Sequence, residues 1–145
     1  MAACPRLPDL RALLERTPCR LHRAHTTGRG QTRADDGRIR VENACRNQTL
    51  DGEWNDIEGI AWPTEPGDFS RLKLQFFWPL RGDYWVLALD PGYRWALVGH
   101  PNREYLWVLA RTRTLDESVY AQILALAGAQ GYDVTQLRRT PQPAD

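Results

Sequence analysis

Lysine is all but missing from this sequence: one residue, Lys73, stands beside 18 arginines. That skew points to a GC-rich coding sequence more than to any binding role. Excess charge of one sign is missing too. The formal net charge is +1, so no global field favours nucleic acid or an anionic membrane, and no nucleic-acid partner is expected. Runs of about 18 or more apolar residues are absent, which excludes a bilayer-crossing helix. No charged-then-apolar leader opens the chain; Met1 to Cys4 imitates the end of a lipoprotein cleavage site without the apolar stretch that should precede it. Catalytic signatures are lacking as well, with no nucleophile elbow, phosphate-cradling loop or zinc motif. Neither enzyme activity nor a cofactor is therefore expected.

The few chemical candidates that do occur are weak. Cys19, His22 and His25 lie close in sequence, but three ligands without an evident fourth make a poor metal site, and none is expected. Glu53, Asp56 and Glu58 could be offered as acid–base groups. On a strand, however, Asp56 and Glu58 share a face with no apolar neighbours to perturb them, as on a solvated edge. Three cysteines, Cys4, Cys19 and Cys45, leave one over after any pairing. Cys19 with Cys45 is the more plausible disulfide in an oxidising compartment, with free thiols the alternative.

A length of 145 residues suits one domain. Charge is unevenly spread: residues 1–40 hold nine arginines against four acids, and the remainder ten basic against fourteen acidic residues. From residue 37 onward the chain reads as short strands separated by turn signals, the spacing of an antiparallel sandwich or barrel. In residues 37–46, Ile39, Val41 and Asn43 fall on one face and Arg38, Arg40 and Glu42 on the other. A second strand is expected over 53–62, with Gly59 a bulge or close-approach point. Residues 71–78 alternate again, placing Leu72, Leu74 and Phe76 opposite Lys73 and Gln75. Segments 84–90 and 93–99 are joined by Asp90-Pro91-Gly92, where glycine would supply the positive φ of a type II turn. Residues 105–112 form the next strand.

Thr114 to Glu117 is a capping-box pattern, predicting a helix over about 115–130. Its stripe is Leu115, Val119, Ile123 and Leu126, and Gly131 is its natural stop. Residues 132–137 look like one more short strand. Six tryptophans are many for a small core, and those on strands suggest collectively a lined cavity.

Three stretches, GDYWVLALDPGYRWALVG (82–99), PNREYLWVLARTRTLDE (101–117) and GYDVTQLRRTPQ (131–142), closely resemble the bacterial lipocalins of the outer-membrane lipoprotein type, and more distantly apolipoprotein D. DDGRIRVENACR (35–46) and EGIAW followed by RLKLQFFWPL match in order and spacing. The resemblance spans about 35–142. It implies an all-β fold: an eight-stranded antiparallel up-and-down barrel, or an incomplete one, with one C-terminal α-helix packed outside. It also implies non-catalytic storage or transport of small apolar ligands such as fatty acids or lysophospholipids, in the cell envelope. Membrane association would need an upstream lipoprotein signal, and a dimer stays open.

Residue by residue, the resemblance makes Trp107 a cavity-lining aromatic and Arg111 the arginine of a structurally defining motif. Asn43, Phe76 and Tyr84 match inward positions; Val41, Leu74 and Trp95 complete the expected ligand-binding set. A β-barrel enzyme on an apolar substrate and an edge-strand interaction module are the alternatives, though the inward positions carry almost no titratable groups.

The front departs from the family. Its Gly-x-Trp strand, over whose tryptophan Arg111 would pack, is not found in residues 1–34, which show no period of two. That segment is expected to be aberrant, an out-of-frame or mis-started replacement for signal, anchor and opening strands, preceding a barrel domain over 35–145. The alternative is a divergent N-terminus whose residues 8–16 form a helix plugging the cup.

Overall fold

A computed structural model describes residues 23–32, 37–47, 49–77 and 80–142 of the chain. Seven strands form a single antiparallel meander in sequence order. They are β1 (Arg23–Thr32), β2 (Ile39–Asn47), β3 (Trp54–Glu65), β4 (Asp68–Phe77), β5 (Leu80–Leu89), β6 (Trp95–Gly99) and β7 (Leu106–Ala110). One helix, α1 (Glu117–Ala129), and a 3-10 turn at Val134–Gln136 follow. Among the described residues no ladder joins β7 to β1, so seven of the eight implied strands stand as a curled open sheet. Residues 23–32 form a strand where none was expected before residue 35: β1, which carries no Gly-x-Trp motif, pairs with β2 from Arg23↔Asn47 to Thr32↔Ile39. Its sequence shows no alternation, so backbone pairing against a patterned neighbour rather than its own period identifies it. The proposed plug over residues 8–16 lies outside the described residues.

Strand alternation gives the sheet two faces. Register carries one set across it: Val41↔Gly59, Asn43↔Ile57 and Ala61↔Leu74, then Leu72↔Tyr84, Val86↔Val98 and Val98↔Trp107. Arg40, Glu58 and Lys73 belong to the other set, where Arg40 pairs with Glu58 and Lys73 with Asp83. Of the acid–base candidates, Asp56 and Glu58 therefore stand on the outer face and are exposed, as is Glu53 just before β3.

The outer face is covered over β6 and β7 by α1. Leu97, Leu106 and Val108 pack with Ile123, Ala127 and Tyr132, each large side chain contributing about 1.5–3 kcal/mol on burial. A register shift between Val86 and Ala88 brings Ala88 opposite Leu97, on the side of this cluster, where Leu87 packs as well. Asp116, not Thr114, caps α1, since its carboxylate accepts from the Ser118 amide at 2.8 Å. Leu126 is 44% exposed and Ala127 takes its place in the stripe, because 119, 123 and 127 keep the four-residue step along one face. The helix ends as expected at Gly131, whose φ is 86°. There the Tyr132 amide reaches the Ala127 carbonyl and the Gly131 amide that of Gly128, a Schellman closure. The expected strand at 132–137 is instead the 3-10 turn, held by Asp133 accepting from the Thr135 amide at 3.0 Å. Tyr132 anchors it by donating to the His100 carbonyl at 2.9 Å.

The hairpin between β5 and β6 also differs from expectation. Tyr93, not Gly92, has the positive φ, 55°. The Asp90 carboxylate explains how a tyrosine holds that conformation: it accepts from the Gly92 and Arg94 amides and from the Arg94 guanidinium. These bonds, led by that of the Arg94 side chain, push the Asp90 carboxyl down to about 2 from its ordinary 3.8. A carboxyl with a depressed folded pKa stabilises the fold above its unfolded value and loses that contribution as the pH falls through the folded one. Unfolding midpoints in denaturant should therefore fall between about pH 4 and pH 2, and Asp90→Asn should flatten that limb. An equal acid slope in both proteins would assign the loss to other groups.

Gly59 is a close-approach point. A Cβ there would lie 2.6 Å from Phe76 Cδ1 and 2.8 Å from the Gln75 carbonyl oxygen. The oxygen belongs to the backbone of the adjacent strand and cannot swing away. Gly59→Ala should destabilise by about 1–3 kcal/mol in urea unfolding, whereas Gly67→Ala, in open space at φ 84°, reports backbone strain alone.

Candidate ligand site

The face bearing Val41, Gly59, Leu74, Tyr84 and Trp107 is the concave one, and ring geometry shows it. Tyr84 on β5 and Trp107 on β7 are separated by β6, so in a flat sheet they would stand about 9.5 Å apart. Their ring centroids are 6.3 Å apart with planes inclined by 23°. Tyr105 continues the row at 5.9 Å from Trp107, inclined by 15°. Curling of the sheet draws these side chains together, forming an aromatic wall at one side of the cup.

On the strands beside the wall, Phe76 rests on Gly59, with Val41 beside Gly59 in register and Leu74 beside Ala61. Ala61, Leu72 and Val98 are buried here. Asn43 lies next to Ile57, two residues along from Val41. The polar inventory is short. Burial pushes the Tyr84 hydroxyl up to about 12, so it stays protonated at neutral pH and can both donate and accept. Cys45 shares the inward parity, is 0% exposed and is disulfide-bonded; its expected partner Cys19 lies outside the described residues. No group of three metal-ligating side chains occurs among the described residues, and His22 and Cys19 fall outside them.

Six of the seven residues expected to line the site share this face: Val41, Asn43, Leu74, Phe76, Tyr84 and Trp107. Trp95 does not. It packs against the helix cluster on the outer side, two residues from Leu97, which fixes its parity. Of the other described tryptophans, Trp54, Trp62 and Trp85 also point outward, each beneath an arginine: Arg46, Arg81 and Arg71 at 5.4, 5.3 and 5.0 Å. Of the five described tryptophans, four thus stand outside the cup and Trp107 lines it. Tyr105, one of the strand aromatics but not of the expected ligand-binding set, belongs to the wall, two residues from Trp107.

Arg111 is exposed, and its Nε donates to the Tyr93 carbonyl at 2.6 Å. Its amide also donates to the Arg94 carbonyl at 2.9 Å. It fastens the end of β7 to the β5–β6 turn, at the end of the sheet where that hairpin closes.

The Lipocalin-like domain family matches residues 14–142, beginning upstream of the resemblance read from the sequence. Temperature-induced lipocalin-1 of Arabidopsis thaliana is 41% identical over 115 residues, 74% of this chain and 60% of that protein. Outer membrane lipoprotein Blc of Escherichia coli K12 is 42% identical over 109 residues, 75% of this chain and 61% of that protein. The chain thus spans about 60% of the length of these relatives. Among solved structures, lobster apocrustacyanin A1 superposes with a TM-score of 0.65 at 17% identity, covering 88% of this chain and 72% of that one. At that identity the likeness is one of fold.

Proposed function

The chain belongs to the lipocalin family, and from that premise we propose that its concave face binds small apolar ligands without catalysis, fatty acids or lysophospholipids being the class that suits it. The carrying observation is the Tyr84, Trp107 and Tyr105 ring row, on the same face as Phe76 and Leu74 of a sheet that bears few titratable groups inward. An acyl chain would lie against Trp107, Phe76, Leu74 and Val41, each apolar square ångström removed from water contributing about 25 cal/mol. Asn43 and the neutral Tyr84 hydroxyl would hydrogen-bond a head group. The Blc relative's name as an outer membrane lipoprotein supports a cell-envelope setting.

Titration with palmitate, followed by intrinsic tryptophan emission, tests the reading. A saturable change is expected, since Trp107 is the one described tryptophan that faces the cup. A flat response, in protein shown to be folded by circular dichroism, counts against it.

A further inference from the structure

A second concavity lies on the opposite, convex face. It holds about 690 Å³ and is walled by Trp62, Pro63 and Phe69, with Gln75 at its base and Arg38 and Arg81 at its rim. The register shows why these side chains meet away from the cup. Trp62 pairs with Lys73 and Ile60 with Gln75, and all four have outward parity, so the aromatic wall and the base of the groove stand on the face opposite the ligand site described above.

Three properties define what would fit. The walls are aromatic and apolar, and Phe69 is 48% exposed, offering a flat hydrophobic surface where a planar ring can stack. Two arginines and no carboxylate line the groove. The Arg81 guanidinium lies over Trp62 at 5.3 Å, and among the described residues it pairs with no acid, so its fork of donors faces the groove unmatched. Finally, Gln75 Nε2 is buried without a hydrogen-bond partner. A buried donor of that kind calls for an acceptor.

From these we infer that the convex groove is a second ligand site, for a small aromatic carboxylate stacked on Trp62 and Phe69 with its carboxylate held by Arg81 and Gln75. A carboxylate matches the planar guanidinium fork and supplies the acceptor that Gln75 lacks. A neutral apolar ligand would leave both donors unmatched, and a cation would be repelled. The volume is within the usual range for small-molecule sites, roughly 300–1,000 Å³.

The probe is 2-naphthoate at neutral pH, titrated into the full chain by calorimetry and followed in amide NMR spectra. Saturable binding is expected, with shifts centred on Gly67, Phe69 and Gln75. Arg81→Ala should weaken it at least tenfold, and Arg81→Lys should recover only part because a lysine lacks the fork. Trp62→Phe should stay within a fewfold. Binding should persist in Trp107→Ala and under saturating palmitate. Loss of naphthoate binding in Trp107→Ala, displacement by palmitate, or equal affinity in a folded Arg81→Ala protein would overturn the second site. The arginine comparison stands whether or not palmitate binds, so failure of the cup reading and failure of this one are separable.

Discussion

Replacing Leu97 by alanine is expected to cost about 2–5 kcal/mol and to loosen α1 from the sheet. Leu97 is 0% exposed and sits where β6 meets Ile123 and Ala127, also 0% exposed. Its neighbours approach from two different elements, a strand ladder and a helix. Neither can collapse into the vacated space without losing its own pairing, so most of the cavity should remain. The open sheet makes this contact more consequential, because in the described residues α1 is the layer that covers the outer side of β6 and β7. Urea unfolding followed by far-ultraviolet circular dichroism measures the loss. Leu126→Ala, at a position 44% exposed, should stay within about 0.5 kcal/mol. Equal losses at both positions would mean that α1 does not pack through the 123 and 127 face.

The second large effect concerns the cup. Trp107→Ala should raise the palmitate dissociation constant by about tenfold to a hundredfold, the equivalent of about 1.5–3 kcal/mol of ring surface no longer covering the acyl chain. It should also abolish most of the emission change, since Trp54, Trp62, Trp85 and Trp95 point outward. Trp95→Ala is the decisive comparison. Both rings lie on neighbouring strands near the same end of the chain, yet Trp95 belongs to the helix cluster. Its removal should lower stability while leaving palmitate affinity within about twofold. If Trp95→Ala abolished binding and Trp107→Ala did not, the assignment of faces would be reversed.

Much of the sheet was legible because alternation is a local property. Ile39, Val41 and Asn43 opposite Arg38, Arg40 and Glu42, and Leu72, Leu74 and Phe76 opposite Lys73 and Gln75, sort themselves by polarity, and the structure keeps each set on one face. Gly59 was readable as a close approach, and Gly131 as a helix stop, because only glycine suits those backbone positions. Turn and cap chemistry was less legible. Asp90 and Asp116 each outcompeted a neighbour, Gly92 and Thr114 respectively, because a carboxylate that gathers several local amides overrides a single-residue preference.

What the sequence by itself determined is the family, the order of the strands from β2 onward and which residues share a face on the polar-and-apolar strands. Tertiary structure alone decided which face is concave. Segments 84–89, 95–99 and 106–110 are apolar on both sides, so a period of two separates their residues into sets without saying which set meets a ligand and which meets a helix. Curling of the sheet put Tyr84 within 6.3 Å of Trp107, and docking of α1 claimed Leu97 and Trp95. Tertiary pairing likewise recovered β1, whose sequence carries no alternation, since a strand can be specified by its neighbour's exposed hydrogen bonds as well as by its own pattern.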